Sequence, residues 1–565
     1  AGVSIEAIRQ RHFAIVRRDS LLAIIFISAV LLFALAYLKY GGFLKKHFEL
    51  DDKNSPPSCT MYDGVDYCPA PAPVLFGHHF SSIAGAGPVL GPIIAGVAFG
   101  WGPVWLWVVL GSIFIGGLHD FASLVISIRN RGRSIAEIAN IYMSKRAYRL
   151  MLAFIWLCMV YVLTVFTDLT ANTFKLDGGV ATSSLLFMLL AVGFGISLYR
   201  LKMPLGRASV IFVSLLFFSV WLGQKIPLSN VPEILGDKAK TWDILLIVYC
   251  FIASVTPVWI LLQPRDYLSS FLLYSSVIGG FLGILFGGLA LNYPAFITWN
   301  SVDVGPMFPL LFVTVACGAI SGFHAIVASG TSSKQIKKES DSEVIGYGAM
   351  LVEGLVAVIA LCAVMIIGRN DPLAARTPLA IYGAGMAKFL SVFGVPEKFG
   401  FSFGLLTLSA FILTTLDTAT RLARYIFQEF FNMEGKNTRY LSTLVTLFLP
   451  AVFVLINIKD SHGNIIPAWK SIWPIFGAAN QLLAGLVLMV VTLWLKKKGK
   501  QIWFVVIPMI FMLGMTLWAL FLVIIQYKFG LLGFIGDVLL LLAVLLILEA
   551  IEIFEVKKYV KGLFK

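Results

Sequence analysis

The chain has 565 residues, 59% of them hydrophobic and 13% charged, with a mean hydropathy of +0.88. No water-soluble domain of this length carries such a composition on its surface, so the chain reads as a polytopic membrane protein. Its net charge of +14 does not point to nucleic acid, because Lys and Arg fall in short clusters between apolar runs, as membrane topology requires.

Taken in order, the first apolar run, Leu21 to Leu38, is followed by Lys39 rather than a small-residue cleavage site and is expected to remain as a span. Apolar runs of about twenty residues then place spans near 76–99, 103–128, 150–172, 184–199, 208–223, 244–263, 270–291, 308–328, 346–367, 400–423, 441–457, 471–495, 502–526 and 534–555. With the first run this makes about fifteen transmembrane helices. Gly383 to Phe393 is a further short helix on or dipping into the membrane and is not counted. Placing the loop after the first span in the cytoplasm puts most of the 44 Lys and Arg residues inside, with Arg9, Arg11, Arg17 and Arg18 of the N-terminal tail as the exception. Cys59 and Cys68 then face a reducing compartment as free thiols, and their spacing with Asp63 and Asp66 matches no common metal-ligand pattern. No metal and no cofactor is expected.

The stretch Leu75 to Pro92 sits where a span belongs, yet Gly77, Gly85, Gly87 and Gly91 with Pro88 and Pro92 weaken or remove its intrahelical hydrogen bonds. A broken helix is expected there. Inside a bilayer, unpaired backbone is tolerated only where it is buried in protein or lines a cavity, so the break marks a binding site, with helix kinking for close packing as the alternative. Five spans later, a span of opposite direction carries its own interruption, Ser254-Val-Thr-Pro257. Two such breaks point to an inverted repeat with a substrate between them at mid-membrane.

The runs GHHFSSIAGAGPVLGP, DFASLVISIRNRGRSIAEI, LLQPRDYLSSFL, FVTVACGAISGFHAIVASGTSSK, TTLDTATRLARYIFQ and WPIFGAANQLLAG resemble the hallmark blocks of the carbon starvation protein family of bacterial inner-membrane transporters. The resemblance spans Asp63 to about Leu486. It implies uptake of a small carbon source, pyruvate or peptides, driven by protons, on an all-α fold of the leucine-transporter type with an inverted repeat of broken helices. The expected organisation is residues 1–73 as tail, first span and cytoplasmic loop, residues 74–423 as transporter core with repeats near 76–223 and 244–423, and residues 424–565 as C-terminal helices.

Ionisable groups inside spans are costly and usually face a cavity or a partner. His78, His79, Ser82, Gly85, Ala86 and Gly87 at the first break, with Ser254 and Thr256 at the second, are the candidate substrate-binding residues. The two histidines have an equal reading as a structural pair. Asp120, beside His119 and ahead of a basic cluster, is expected to take part in a salt bridge, and Arg265 with Asp266 to act as a gate or ion pair. Asp417 precedes Arg421 by four residues, which reads as an (i, i+4) pair or inner gate. Glu353 lies deep in an apolar span with no sequence-local cation, as a proton-coupling carboxyl requires, and His324 is placed with it. The hydroxyl-rich 308–328 span and its continuation either pack helices closely or ligate a cation, and the resemblance makes Ser329, Thr331 and Ser332 candidates for a sodium site. Asn480 and Gln481 are assigned no transport role.

The half-helix from about Val89 would present its N-terminal N–H groups to the cavity, a seat for a substrate carboxylate. A peptide would also need a free acid for its amino group, and none is evident, so proton symport of a small monocarboxylate is favoured, with sodium-coupled peptide uptake as the alternative. The partners expected are that substrate, the coupling ion and the lipid bilayer. An enzyme or a channel is disfavoured, since no GxSxG, HExxH or GxxxxGK[ST] segment and no repeated filter is visible.

Overall fold

The computed structural model describes residues 5–563 apart from 65, 258–259, 434, 436, 460–464 and 528–530, and almost all of its regular structure is helical. α1 (Ile5–Ala36) passes through a wide turn at Tyr37–Gly41 into α2 (Gly42–Phe48), and α3 (Pro57–Thr60) lies in the following loop. α4 (Ala72–Ile83) and α5 (Gly87–Phe99) are the halves of the first broken helix. After them come α6 (Trp101–Gly111), α7 (Gly117–Arg129), α8 (Ile135–Tyr142), α9 (Lys145–Leu176), α10 (Gly178–Tyr199), α11 (Leu205–Lys225), α12 (Lys238–Val255) and α13 (Leu262–Phe286). The hairpin β1 (Asn300–Ser301) and β2 (Gly305–Pro306) leads into α14 (Met307–Thr314), α15 (Gly322–Gly330), α16 (Ala349–Met365), α17 (Pro378–Ser391), α18 (Glu397–Phe430) and α19 (Thr438–Leu455). A second hairpin, β3 (Ile458–Lys459) with β4 (Ile465–Ile466), precedes α20 (Ala468–Lys497), α21 (Trp503–Tyr527) and α22 (Leu531–Leu563).

Among the described residues, 12 helices are long and apolar enough to cross a membrane, or up to 13 when the bent pair α4 and α5 counts as one span. The expected count of about fifteen is approximate against these. The difference lies in two runs. The run at 244–263 becomes α12, which carries Lys238, Lys240 and Asp243 in its first two turns and ends at Val255. The run at 308–328 is split into the short half-helices α14 and α15. The first span, by contrast, extends through the turn at Tyr37–Gly41 as far as Phe48.

Both broken helices open in the same way. α4 begins with prolines at Pro71 and Pro73, where a missing N–H costs nothing, and stops at Ala84 with φ −73° and ψ 75°. The Gly85 amide donates to the Ile83 carbonyl across this residue at 2.8 Å, an inverse γ-turn. α5 restarts at Gly87 with Pro88 in its first turn, bent by 46° from α4. α14 ends at Val315 with φ −92° and ψ 65°, and residues 315–321 run without a continuous helix to α15. The two breaks are packed together. A Cβ on Gly87 would lie 2.4 Å from the Cys317 side chain, and one on Gly91 would lie 2.6 Å from the Thr314 carbonyl oxygen.

The surrounding helices repeat each other's packing. The long α9 packs on α18, α19 and α20, while the long α18 packs on α9, α10 and α13. The short α8 rests on α9 and α20 as the short α17 rests on α18 and α13. α4 lies against α13 as α15 lies against α20. In this correspondence α11 and α12 are extra helices, α11 packed on α10 and α12 on α9 and α19.

Candidate functional site

The first break is closed over. Ser81, Ser82, Ile83, Ala84, Gly85, Ala86 and Gly87 are all buried. A Cβ on Gly85 would meet Phe166 of α9 at 2.8 Å and Thr415 of α18 at 3.2 Å, so the two long helices hold this residue from either side. Thr415 donates to the Ser82 carbonyl at 3.4 Å, and Ser82 donates to the His78 carbonyl at 2.8 Å.

The facing segment 315–321 is held by other elements. Trp107 Nε1 donates to the Val315 carbonyl at 3.2 Å and Ser112 Oγ to the Gly318 carbonyl at 3.0 Å. Gln481 donates to the Phe312 carbonyl, the last turn of α14, at 2.5 Å. Asn480 Oδ1 accepts from the Phe323 amide at 3.0 Å and its Nδ2 donates to Ser321 Oγ at 2.9 Å, which caps the start of α15. Asn480 and Gln481 thus hydrogen-bond between helices, as their residue types allow, and fasten the two sides of a break that sequence reasoning did not place here. The available signal was a pair of adjacent amides in a span that is otherwise apolar and buried.

Beside the breaks lies a buried chain of ionisable groups. Asp120 Oδ1 is 2.7 Å from His119 Nδ1, and Asp120 Oδ2 is 2.7 Å from His324 Nδ1. His324 Nε2 is 3.3 Å from Glu353 Oε2, a contact not aligned as a hydrogen bond, and all four side chains have no exposure. The structure therefore brings Glu353 and His324 together and adds Asp120. Asp120 does pair with a neighbouring helix, α15, but through an imidazole and not an arginine: its partners are His119 and His324, while Arg129 donates to Glu339 at 2.7 Å and to the Glu49 carbonyl at 2.9 Å. His79 Nδ1 lies 2.7 Å from Ser332 Oγ, and its Nε2 has no partner.

A second buried cluster surrounds Arg265. This guanidinium is unexposed and bonds Asp417 Oδ2, Tyr249 at 2.7 Å, the Leu413 carbonyl at 3.2 Å and Asp266 at 3.0 Å. Tyr249 donates to Asp417 at 2.7 Å. His78 Nδ1 lies 3.2 Å from Asp266 Oδ2 and, with a side chain 22% exposed, is the part of this cluster nearest to solvent. The expected Asp417–Arg421 pair does not form. Arg421 instead donates to the Ala253 and Thr256 carbonyls at 2.9 and 2.7 Å, and Arg424 donates to the Ser254 carbonyl at 2.6 Å, because the last carbonyls of α12 have no helical partner.

Those contacts also move the second expected break away from the first. Ser254 bonds Thr443 of α19 at 3.2 Å and Thr256 turns its hydroxyl onto the Ile252 carbonyl, so both sit among α12, α18 and α19. The segment that faces α5 is 315–321. Of the hydroxyls expected to hold a cation, Ser329 donates to the Ala325 carbonyl and Thr331 to the Val327 carbonyl, both within their own helix, and Ser332 bonds His79. Sequence reasoning also missed a buried group between α9 and α12. Asp168 accepts from the Trp469 amide at 2.8 Å and from Asn172 at 3.2 Å, Lys240 donates to the Val454 carbonyl, and both Asp243 oxygens lack a hydrogen bond.

The family model described as Carbon starvation protein CstA matches residues 21–374 and 367–519. The Peptide transporter CstA of Escherichia coli (strain K12) is 31% identical over 88% of this chain and 80% of its own length. The Pyruvate/proton symporter BtsT of the same organism is 32% identical over 88% and 81%. The Peptide transporter CstA of Campylobacter jejuni is 30% identical over 92% and 83%. Among solved structures, a manganese transporter mutant from Eremococcus coleocola aligns over 85% of this chain and 95% of its own, with 15% identity and a TM-score of 0.42.

Proposed function

Because this chain belongs to the carbon starvation protein family, we propose that it is a secondary active transporter of the bacterial inner membrane, importing a small carbon source by proton symport, and not an enzyme. The single observation that carries this reading is the placement of Glu353. It is buried against His324, one turn from the Ala357 that meets Gly318 in the second break, and no Lys or Arg lies within ion-pair distance of it among the described residues. A carboxyl so placed carries its charge at high cost and its proton at little, which is the property a coupling site needs.

The breaks at 84–86 and 315–321 are the proposed substrate region, and the mirrored packing supports two inverted halves, α4 to α13 and α14 to α20, with α11 and α12 inserted. His78, Arg265, Asp266 and Asp417 form the proposed gate, since they tie α4, α13 and α18 together on the side of the break where α4 begins. A small monocarboxylate fits this arrangement better than a peptide. Asp120 is engaged by two histidines and Asp266 and Asp417 by Arg265, so the acids nearest the break are already occupied and a peptide's amino group finds no counterpart. Peptide uptake is the second reading, favoured by the names of two of the relatives above.

A competition screen in proteoliposomes with pyruvate, other short monocarboxylates and di- and tripeptides decides the substrate. Glu353→Gln is expected to abolish pH-driven accumulation while exchange persists. If Glu353→Gln still concentrates substrate against its gradient, Glu353 is structural.

A further inference from the structure

Asp120 stands between two imidazoles, and its geometry fixes which nitrogen of each carries hydrogen. An ionised carboxylate accepts only, so both Nδ1 atoms at 2.7 Å must donate to it. A neutral His324 then has a bare Nε2, and that atom is the one 3.3 Å from Glu353. We propose that Asp120, with His119 behind it, is a positioning residue that holds His324 in this tautomer, so that His324 Nε2 receives the proton of Glu353. The inference rests on the coupling role proposed for Glu353.

The step balances within the pair. The O–H bond of the Glu353 carboxylic acid breaks, an N–H bond forms at His324 Nε2, and a carboxylate and an imidazolium result; the reverse transfer restores the start. Asp120 stabilises the imidazolium through Nδ1, as the carboxylate of a hydrolytic triad stabilises its histidine. His324 lies in the first turn of α15, directly after the second break, which places proton occupancy beside the proposed substrate region. The other titratable groups near the pair are His79 on α4 and Cys317 in the second break, and no Lys or Arg of the described residues lies within ion-pair distance of Asp120, His324 or Glu353.

The test uses the full chain in proteoliposomes, with radiolabelled pyruvate and dialanine as probes and whichever of them the wild type carries as readout. Accumulation under an imposed pH gradient is divided by counterflow at equal pH, so that a loss of folded protein cancels. For Asp120→Asn this ratio is expected to fall about tenfold and the pH of half-maximal uptake to move about one unit toward acid, since a tenfold weaker hold on the proton equals one pKa unit. His119→Asn keeps an N–H near the Nδ1 position and is expected to follow the wild-type profile, whereas His119→Ala is expected to shift in the same direction as Asp120→Asn. A wild-type ratio and pH profile in Asp120→Asn overturns the proposal. Where Asp120→Asn gives no folded protein, a wild-type profile in His119→Ala overturns it instead. If Glu353→Gln still concentrates the probe, the coupling role of Glu353 falls; if Glu353→Gln is uncoupled and Asp120→Asn is wild type, only the positioning role falls.

Discussion

Gly91 offers a direct test of whether the two breaks close on each other. A Cβ at this position would lie 2.6 Å from the Thr314 carbonyl oxygen and 3.1 Å from the Val315 Cα, and both are backbone atoms that cannot rotate away. Gly91→Ala must therefore push α5 off the end of α14, an overpacking cost of about 1–3 kcal/mol. Alanine recovers about 0.5–1 kcal/mol in a helix interior, so a net loss of roughly 1 kcal/mol, and at most about 2.5, remains by these two principles. Gly514, exposed in α21 with nothing within 4 Å of its would-be Cβ, is the matched control, and Gly514→Ala should gain the helical term alone. Thermal unfolding in detergent can be followed with a thiol-reactive fluorophore, for which the buried Cys158, Cys250, Cys317 and Cys362 are reporters. The expected result is a lower midpoint for Gly91→Ala, a raised one for Gly514→Ala, and slowed counterflow in the first alone. Equal or raised stability in Gly91→Ala with wild-type counterflow would refute the close approach of the breaks.

Arg265→Leu leaves Asp266 and Asp417 buried without their shared cation, and breaking such a group costs about 3–5 kcal/mol; the expected outcome is loss of the monodisperse peak in size-exclusion chromatography, partly restored in Arg265→Leu/Asp417→Leu. Asn480→Ala removes the cap of α15 and strands the Phe323 amide, a loss of about 1–2 kcal/mol, read as a lower unfolding midpoint with slowed uptake. On the loop side, the Ser340 amide and hydroxyl, each 2.9 Å from Asp52, hold that carboxyl below its ordinary value of 3.8. The contact is thus present above that value and lost as pH falls through the lower folded-state value, so hydrogen exchange at Ser340 should be protected at neutral pH, and Ser340→Ala should leave the protection of neighbouring amides reduced there.

The helices were largely legible because a long apolar run has few alternatives in a bilayer, and the first break was legible because Gly85, Gly87 and Pro88 announce themselves. The second break was not. Residues 315–321 read VACGAIS, with one glycine and no proline, and their carbonyls are satisfied by Trp107, Ser112 and Gln481 from other elements, a pairing no local window contains. The proline at Pro257 marks a helix end instead, and the two inserted helices α11 and α12 made the spacing of five spans look right. Charge pairing failed for a related reason. The (i, i+4) spacing of Asp417 and Arg421 is real, but the free carbonyls at the end of α12 are stronger claimants on Arg421, and Asp417 is met by an arginine 152 residues away in sequence.

The two interruptions also differ in how they are held, and that difference separates a fixed helix end from a movable one. The end of α12 is bound by two guanidinium groups, Arg421 and Arg424, and hydrogen bonds from charged donors contribute about 1.5–3 kcal/mol each. The carbonyls of the break at 315–321 are bound by an indole, a hydroxyl and an amide, and its Ser321 by the Asn480 amide, all neutral donors that contribute about 0.5–1.5 kcal/mol each. These weak bonds can be exchanged one at a time for bonds to a substrate or to water, whereas releasing either arginine leaves a charge, half-buried at Arg421 and buried at Arg424, without its acceptors. Glu353, a buried acid with no Lys or Arg within ion-pair distance among the described residues, lies on the side of the exchangeable break. A proton gained or lost there meets the part of the backbone that is cheapest to rearrange, which is the condition under which protonation can move a helix.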